Sequence, residues 1–261
     1  MPAQPEPASR KRGRGLTAAL AWLLLGLICA SPSPAMPAAD GHIPAFDATY
    51  RLTRNGLKIG EVRRTLRRGD GDSFVFESVS RATGLVSLLL RDEITERSRW
   101  TYDNAGNVRP LHYVYHQQGG HRERRAELDF DWGQSKVRNL VQSQPWSLSI
   151  EPGTQDKLGY QLALMQDLLH GRREVRYPIA DGGKLKRYLV KSLGEEVIET
   201  PLGPLRTVQM QRMNDTKRET KLWCAERLHY LPVRITHREK DGSIYEMLIE
   251  SLAGIGPANP P

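Results

Sequence analysis

The chain has 261 residues, 38 of them basic and 30 acidic, with a formal charge of +8 and 39% hydrophobic residues. Two cysteines in this length exclude a small disulfide-stapled domain, and the chain is long enough to bury a core without metal or cross-links. The basic excess comes with no zinc-finger, helix-turn-helix or stacking motif, which excludes a nucleic-acid partner.

The first segment reads as an export signal. Arg10, Lys11, Arg12 and Arg14 precede the apolar run from Leu16 to Ala30, and SPSPAMPAAD supplies small residues for cleavage. The run is too short for an ordinary spanning helix of about 20 residues. Residues 1–39 are therefore expected to be removed, after Ala35, Ala38 or Ala39, and no membrane-spanning segment is expected in the mature form. Ile28 stands where a lipid-modified Cys29 needs a small residue, so a lipid anchor is not expected. The mature chain then carries 34 basic and 29 acidic residues, a charge of +5, and Cys224 alone among cysteines. Burial as an inert thiol is the expected state of Cys224, and the expected location is the periplasm or the exterior.

Residues 40–252 read as one β-rich domain and 253–261 as a flexible tail. AFDATYRLTRNG turns at Asn55-Gly56, a dipeptide that accepts the left-handed dihedrals of a tight hairpin, and LKIGEVRRTLRRG returns. Tyr50, Leu52, Ile59, Val62 and Leu66 are placed to pack. In SFVFESVSRA, Phe74 and Phe76 share one face and Val75 and Val79 the other. GLVSLLL, from Gly84, fits either a helical turn or a buried strand. Beyond it Ile94, Trp100 and Tyr102 share parity with Glu96 and Ser98, an inner face that is only partly apolar. LHYVYH sets Leu111, Tyr113 and Tyr115 against His112, Val114 and His116, and HRERR at 121–125 reads as a solvated strand end. Ala126, Leu128, Phe130 and Trp132 alternate with Glu127, Asp129 and Asp131. Further strands follow to residue 252, with reversals at Gly182-Gly183, Leu202-Gly203 and Asp241-Gly242.

QDKLGYQLALMQDLLHG, residues 155–171, breaks this pattern. Leu158, Leu162, Met165 and Leu169 recur at helical spacing, Leu168 widens the stripe, and Thr154 or Asp156 is placed to cap the start. One apolar stripe must be covered by the sheet. The fold class expected is mainly β: a strongly curved antiparallel sheet or incomplete barrel with one covering helix.

Familiar catalytic patterns are missing: no GxSxG elbow, HExxH helix, CxxC pair or phosphate loop occurs. His112 and His116 lie about 13 Å apart on a strand, too far to share one ion. No cofactor and no metal are expected. Asp92, Glu93 and Glu96, with Arg91, Arg97 and Arg99, form the best polar constellation, and Arg91, Glu96 and Arg99 are the polar-site candidates. The apolar ligand-binding candidates are Trp100, Tyr113, Phe130, Trp132, Trp146, Leu162, Met165, Leu169 and Trp223, which a concave sheet and its helix can bring around one cargo.

YRLTRNGLKIGEVRRTL, RDEITERSRW with VRPLHYVY, ELDFDW, TQDKLGYQLALMQDLL and TPLGPLRTVQM with WCAERLHYLPVRI, in that order, resemble the bacterial family of unknown function DUF3108. The resemblance implies a secreted or periplasmic β-rich domain related in shape to lipoprotein-binding and localisation factors, and no catalytic residue. The expected function is binding or carriage of a hydrophobic or amphiphilic cell-envelope component. The alternatives are a non-catalytic envelope assembly module that meets an envelope protein, and a hydrolase whose active site is assembled from distant strands.

Overall fold

In a computed structural model, residues 42–84, 93–119, 123–141, 145–213 and 217–256 are described. The expected leader, Arg91, Asp92 and the apolar run 85–90 lie outside them. The strands are β1 (Phe46–Arg54), β2 (Leu57–Arg68), β3 (Phe74–Ala82), β4 (Glu93–Tyr102), β5 (Val108–Gln118), β6 (Arg124–Asp131), β7 (Lys136–Asn139) and β8 (Trp146–Ser149). Helix α1 (Tyr160–Leu169) follows, and then β9 (Glu174–Asp181), β10 (Lys184–Thr200), β11 (Gly203–Arg212), β12 (Glu219–Ala225), β13 (Leu231–Arg238) and β14 (Ile244–Ala253).

All fourteen strands form one antiparallel sheet of order β8-β7-β6-β5-β4-β3-β2-β1-β14-β13-β12-β11-β10-β9. Two meanders, β1 to β8 and β9 to β14, therefore meet at the β1–β14 pair, and α1 carries the chain from one edge to the other. This corrects the expected architecture. The sheet is open, neither an incomplete barrel nor strongly curled, because its end strands β8 and β9 do not pair. The edge of β9 is met instead by the segment that enters the helix: Gln155 bridges Ile179 in parallel, its N–H donating to the Pro178 carbonyl (2.8 Å) and its carbonyl accepting from Ala180 (3.0 Å).

The first hairpin forms as its sequence dictates. Asn55 and Gly56 take φ of 49° and 82° in the two-residue turn between Arg54 and Leu57. Asn55 also exchanges hydrogen bonds with Ile244, tying the tip to β14. Next to a register shift, Gly60 packs so closely on β3 that a Cβ there would lie 2.2 Å from the Arg81 carbonyl oxygen.

The inner face follows the period-two pattern. Phe46, Ala48 and Tyr50 of β1 and Val62, Arg64 and Leu66 of β2 are all buried, and across the next strands Phe76, Ser98, Tyr113 and Leu128 continue the Leu66 row. Phe74 stacks on Trp100 with centroids 4.8 Å apart.

The helix is shorter than its sequence pattern and is buried on more than one stripe. Leu158 lies in the preceding turn, and eight of the ten helical residues are buried, Gln161 and Gln166 among them. Each buried amide has a partner: Gln161 Oε1 accepts from Arg64 Nη1 (2.9 Å), while Gln166 accepts from the Val108 N–H and donates to the Gly106 carbonyl (2.6 Å). On the other side Tyr177 Oη donates to Asp167 (2.5 Å), and Tyr160 meets Tyr188 edge to face. Both meanders are thus fastened to one helix. Burying Leu158, Leu162, Met165 and Leu168 contributes on the order of 6–12 kcal/mol before entropy is counted.

Candidate functional site

Asp156 organises the site. It is fully buried one turn before α1, where Oδ1 accepts from the Leu158 N–H (2.8 Å) and the Gly159 N–H (2.6 Å) and Oδ2 accepts from Ser98 Oγ (2.5 Å). The first two bonds close the turn that leads into the helix, and the third pins that turn to β4; neither Thr154 nor Asp156 caps the helix itself, whose N-cap is Gly159 without a side-chain hydrogen bond. Gly159 is needed there, since a Cβ would come within 3.0–3.2 Å of both carboxylate oxygens and of Ser98 Oγ. Burial pushes the Asp156 carboxyl up to about 6 against the three hydrogen bonds that favour its charge, and the nearby Glu96 carboxylate adds to the rise.

Glu96, on the inner face of β4, accepts from Tyr113 Oη at 2.6 Å. Burial, with Glu96, Asp156 and Asp181 around it, raises the Tyr113 phenol well above its ordinary range and keeps it a donor. Tyr113 forms part of the wall of a cleft of about 620 Å³ between β5–β8 and the β9–β10 turn. Tyr115, Trp146, Arg124, Lys157 and Asp181 also line it. Lys157 Nζ stands 5.7 Å over the Tyr115 ring and 3.9 Å from Asp181. The cleft therefore offers aromatic side chains beside basic and acidic groups, Arg124, Arg125 and Lys157 with Glu123 and Asp181. Ser98 is fully buried with its hydroxyl committed to Asp156, so it is not presented as a nucleophile.

A larger hollow of about 770 Å³ lies over the outer faces of β1–β3 and β14. Its charges are matched locally: Arg63 meets Asp47, Arg81 meets Glu93 and Glu61 meets Lys58, leaving a solvated ladder of ion pairs. The first cleft, with its aromatic lining, is the better ligand site.

The sequence candidates separate into groups. Trp100, Phe130, Leu162 and Met165 are core residues, 0–5% exposed, and Leu169 is half-buried at the helix end. Tyr113 and Trp146 reach the cleft. Trp132 is half-buried, donates to the Pro110 carbonyl (2.7 Å) and lies under Arg109. Trp223 alternates with the inward Leu222 and Cys224, so it occupies the opposite face, bonded to Glu196 and covered by Arg234. Of the polar candidates, Glu96 joins the inner network, Arg99 is exposed on the other face, and Arg91 lies outside the described residues. Glu93 pairs with Arg81, away from Glu96. His112 and His116 meet different glutamates, Glu127 and Glu123. Among the described residues no group of three or more His, Cys, Asp or Glu could hold a metal ion. Cys224 is fully buried, and burial pushes its thiol up.

Sequence reasoning missed Ser98 and Asp156 as a pair, Lys157 at the cleft and the buried Arg64. Parity does mark Arg64, which stands between the inward Val62 and Leu66. Nothing local marks the Ser98–Asp156 pairing, which joins positions 58 residues apart.

A search of curated proteins returned no match. Among solved structures, the chain is similar to one described as a beta-barrel-like protein of domain of unknown function DUF1849 from Brucella abortus. The TM-score is 0.53 at 11% identity, covering 84% of this chain and 99% of that one. That likeness concerns the fold alone. Residues 46–250 match the family model described as protein of unknown function (DUF3108), and the chain belongs to that family.

Proposed function

We propose that the protein is an exported, non-catalytic binding protein for an amphiphilic cell-envelope component, held reversibly at the cleft between β5–β8 and the β9–β10 turn. The observation that carries this reading is the lining of that cleft, where the partly exposed Tyr115 and Trp146 stand beside Lys157 and Arg124 over the buried Tyr113. Aromatic faces take apolar surface out of water, and the cations orient an acidic or polar head. The apolar candidates around α1 are packed on one another, which favours the cleft over the middle of the core as the ligand site. Native mass spectrometry of protein purified without detergent tests this: co-purified or added anionic lipid should form a discrete complex. No complex with any added envelope lipid would refute it.

A second reading, an envelope assembly module, is favoured by β10. Among the described residues, β10 beyond Lys191 pairs with β11 alone, and Leu193 and Val197 on it and Leu202 in the following turn are exposed. An unpaired edge with apolar side chains suits strand addition by a partner protein. A photo-crosslinker at position 197 in living cells should then give a discrete protein adduct. Its absence would remove this reading.

A further inference from the structure

Arg64 and Asp156 are the two buried Asp, Glu, Lys or Arg residues among the described residues. Asp156 receives three donors. Arg64, 6% exposed, does not have equivalent partners. Its Nη1 donates to the Gln161 amide oxygen at 2.9 Å, its Nη2 lies 4.0 Å from Met247 Sδ, and its Nε has no partner. The guanidinium stands 5.6 Å over the Tyr50 ring, whose own hydroxyl is given to the Pro232 carbonyl. No carboxylate of the described residues forms an ion pair with it.

A buried guanidinium that lacks an anion is a costly arrangement, because desolvation is not repaid by a neutral amide, a thioether and a ring face. The fold nevertheless makes room for it. Fully buried Ala48 is the residue opposite Arg64 on β1, leaving space for the long side chain. The row Arg64–Ser78–Glu96–Tyr115 runs across four strands on one face, with Glu96 turned onto Tyr113. Met247, against the guanidinium, is only partly buried, and a thioether side chain repacks readily. Met247 is therefore the natural point of entry.

We propose that Arg64 is the recognition group of a buried anion site for a carboxylate or a phosphate. The anion's oxygens would displace the Gln161 amide oxygen and also reach Nε, using the planar donor fork that a lysine lacks. This site is separate from the cleft and stands whether or not the cleft takes an amphiphile.

Isothermal titration with inorganic phosphate, and separately with laurate below its micelle concentration, tests the assignment on the wild type, Arg64→Met and Trp146→Phe. The expected result is saturable binding of at least one anion by the wild type that Arg64→Met weakens at least ten-fold; phosphate binding is unchanged by Trp146→Phe, while laurate held at the cleft appears as a second component that Trp146→Phe alone removes. Laurate alone would identify an amphiphile head as the source, and phosphate alone a free anion. If Arg64→Met fails to fold, Arg64→Lys keeps the charge without the fork and should also bind at least ten-fold more weakly. No saturable binding of either anion would overturn the proposal, as would equal binding by the Arg64 variant. Laurate binding lost in Trp146→Phe but kept in the Arg64 variant would place the ligand at the cleft and overturn the Arg64 site alone.

Discussion

Asp156→Asn separates the charge of the buried carboxylate from its hydrogen bonds. Asparagine keeps an oxygen for the Leu158 and Gly159 N–H groups and an amide that can meet Ser98, but it cannot ionise. In the folded wild type the carboxyl is raised from 3.8 to about 6. Between these values the folded state holds a proton that the unfolded state has released, so wild-type stability falls as pH rises through the window and levels off above it. A shift of roughly two units corresponds to about 3 kcal/mol. Urea unfolding at pH 4, 5, 6 and 7, followed by tryptophan fluorescence, should show the stability of wild type minus variant falling by on the order of 3 kcal/mol across the series. Titrating groups remote from Asp156 contribute to both proteins and cancel in the difference; Glu96, whose carboxylate acts on Asp156, is the group that does not. A difference constant with pH would refute the reasoning. Asp156→Ala should instead destabilise at pH 7, because the N–H groups of Leu158 and Gly159 in the buried turn before α1 lose their acceptor, at a cost of about 1–3 kcal/mol each.

Gly60→Ala should destabilise by about 1–3 kcal/mol or more, read from the urea midpoint, because the new Cβ would meet backbone rather than a movable side chain. A neutral result would contradict the β2–β3 register. Cys224 should stay unreactive toward a thiol reagent at pH 8 in the native protein and titrate fully in denaturant, and rapid native labelling would contradict its burial. Trp100→Ala should cost about 3–5 kcal/mol, measured the same way, as a fully buried ring stacked on Phe74 is removed.

Local chemistry carried most of the strand pattern. The Asn55-Gly56 turn, the shared parity of Glu96, Ser98 and Trp100, and the alternation from Leu128 to Phe130 are properties of neighbours in the chain, and the structure repeats them. What adjacent residues do not encode is which strands end the sheet. Turn signals are the same in an open sheet and a rolled one, and the outcome here rests on Gln155 meeting the edge of β9. The helix was legible from Leu158, Leu162 and Met165. Its burial beyond one stripe was not, because nothing near Gln161 and Gln166 in the chain marks the partners that Arg64, Val108 and Gly106 supply. The same limit applies to the candidate site. Aromatic residues were the visible signal, yet Trp223 shares neither face nor neighbours with Trp146, and the Asp156–Ser98–β4 link is a tertiary pairing with no local signature.

Contact quenching by a brominated fatty acid measures directly whether an amphiphile binds beside Trp146. Quenching is short-ranged, so a chain in the cleft reaches Trp146 while Trp100 stays enclosed in the core. Saturable quenching of wild-type fluorescence that is lost in Trp146→Phe is expected. No saturable quenching, or quenching that survives the substitution unchanged, would contradict it.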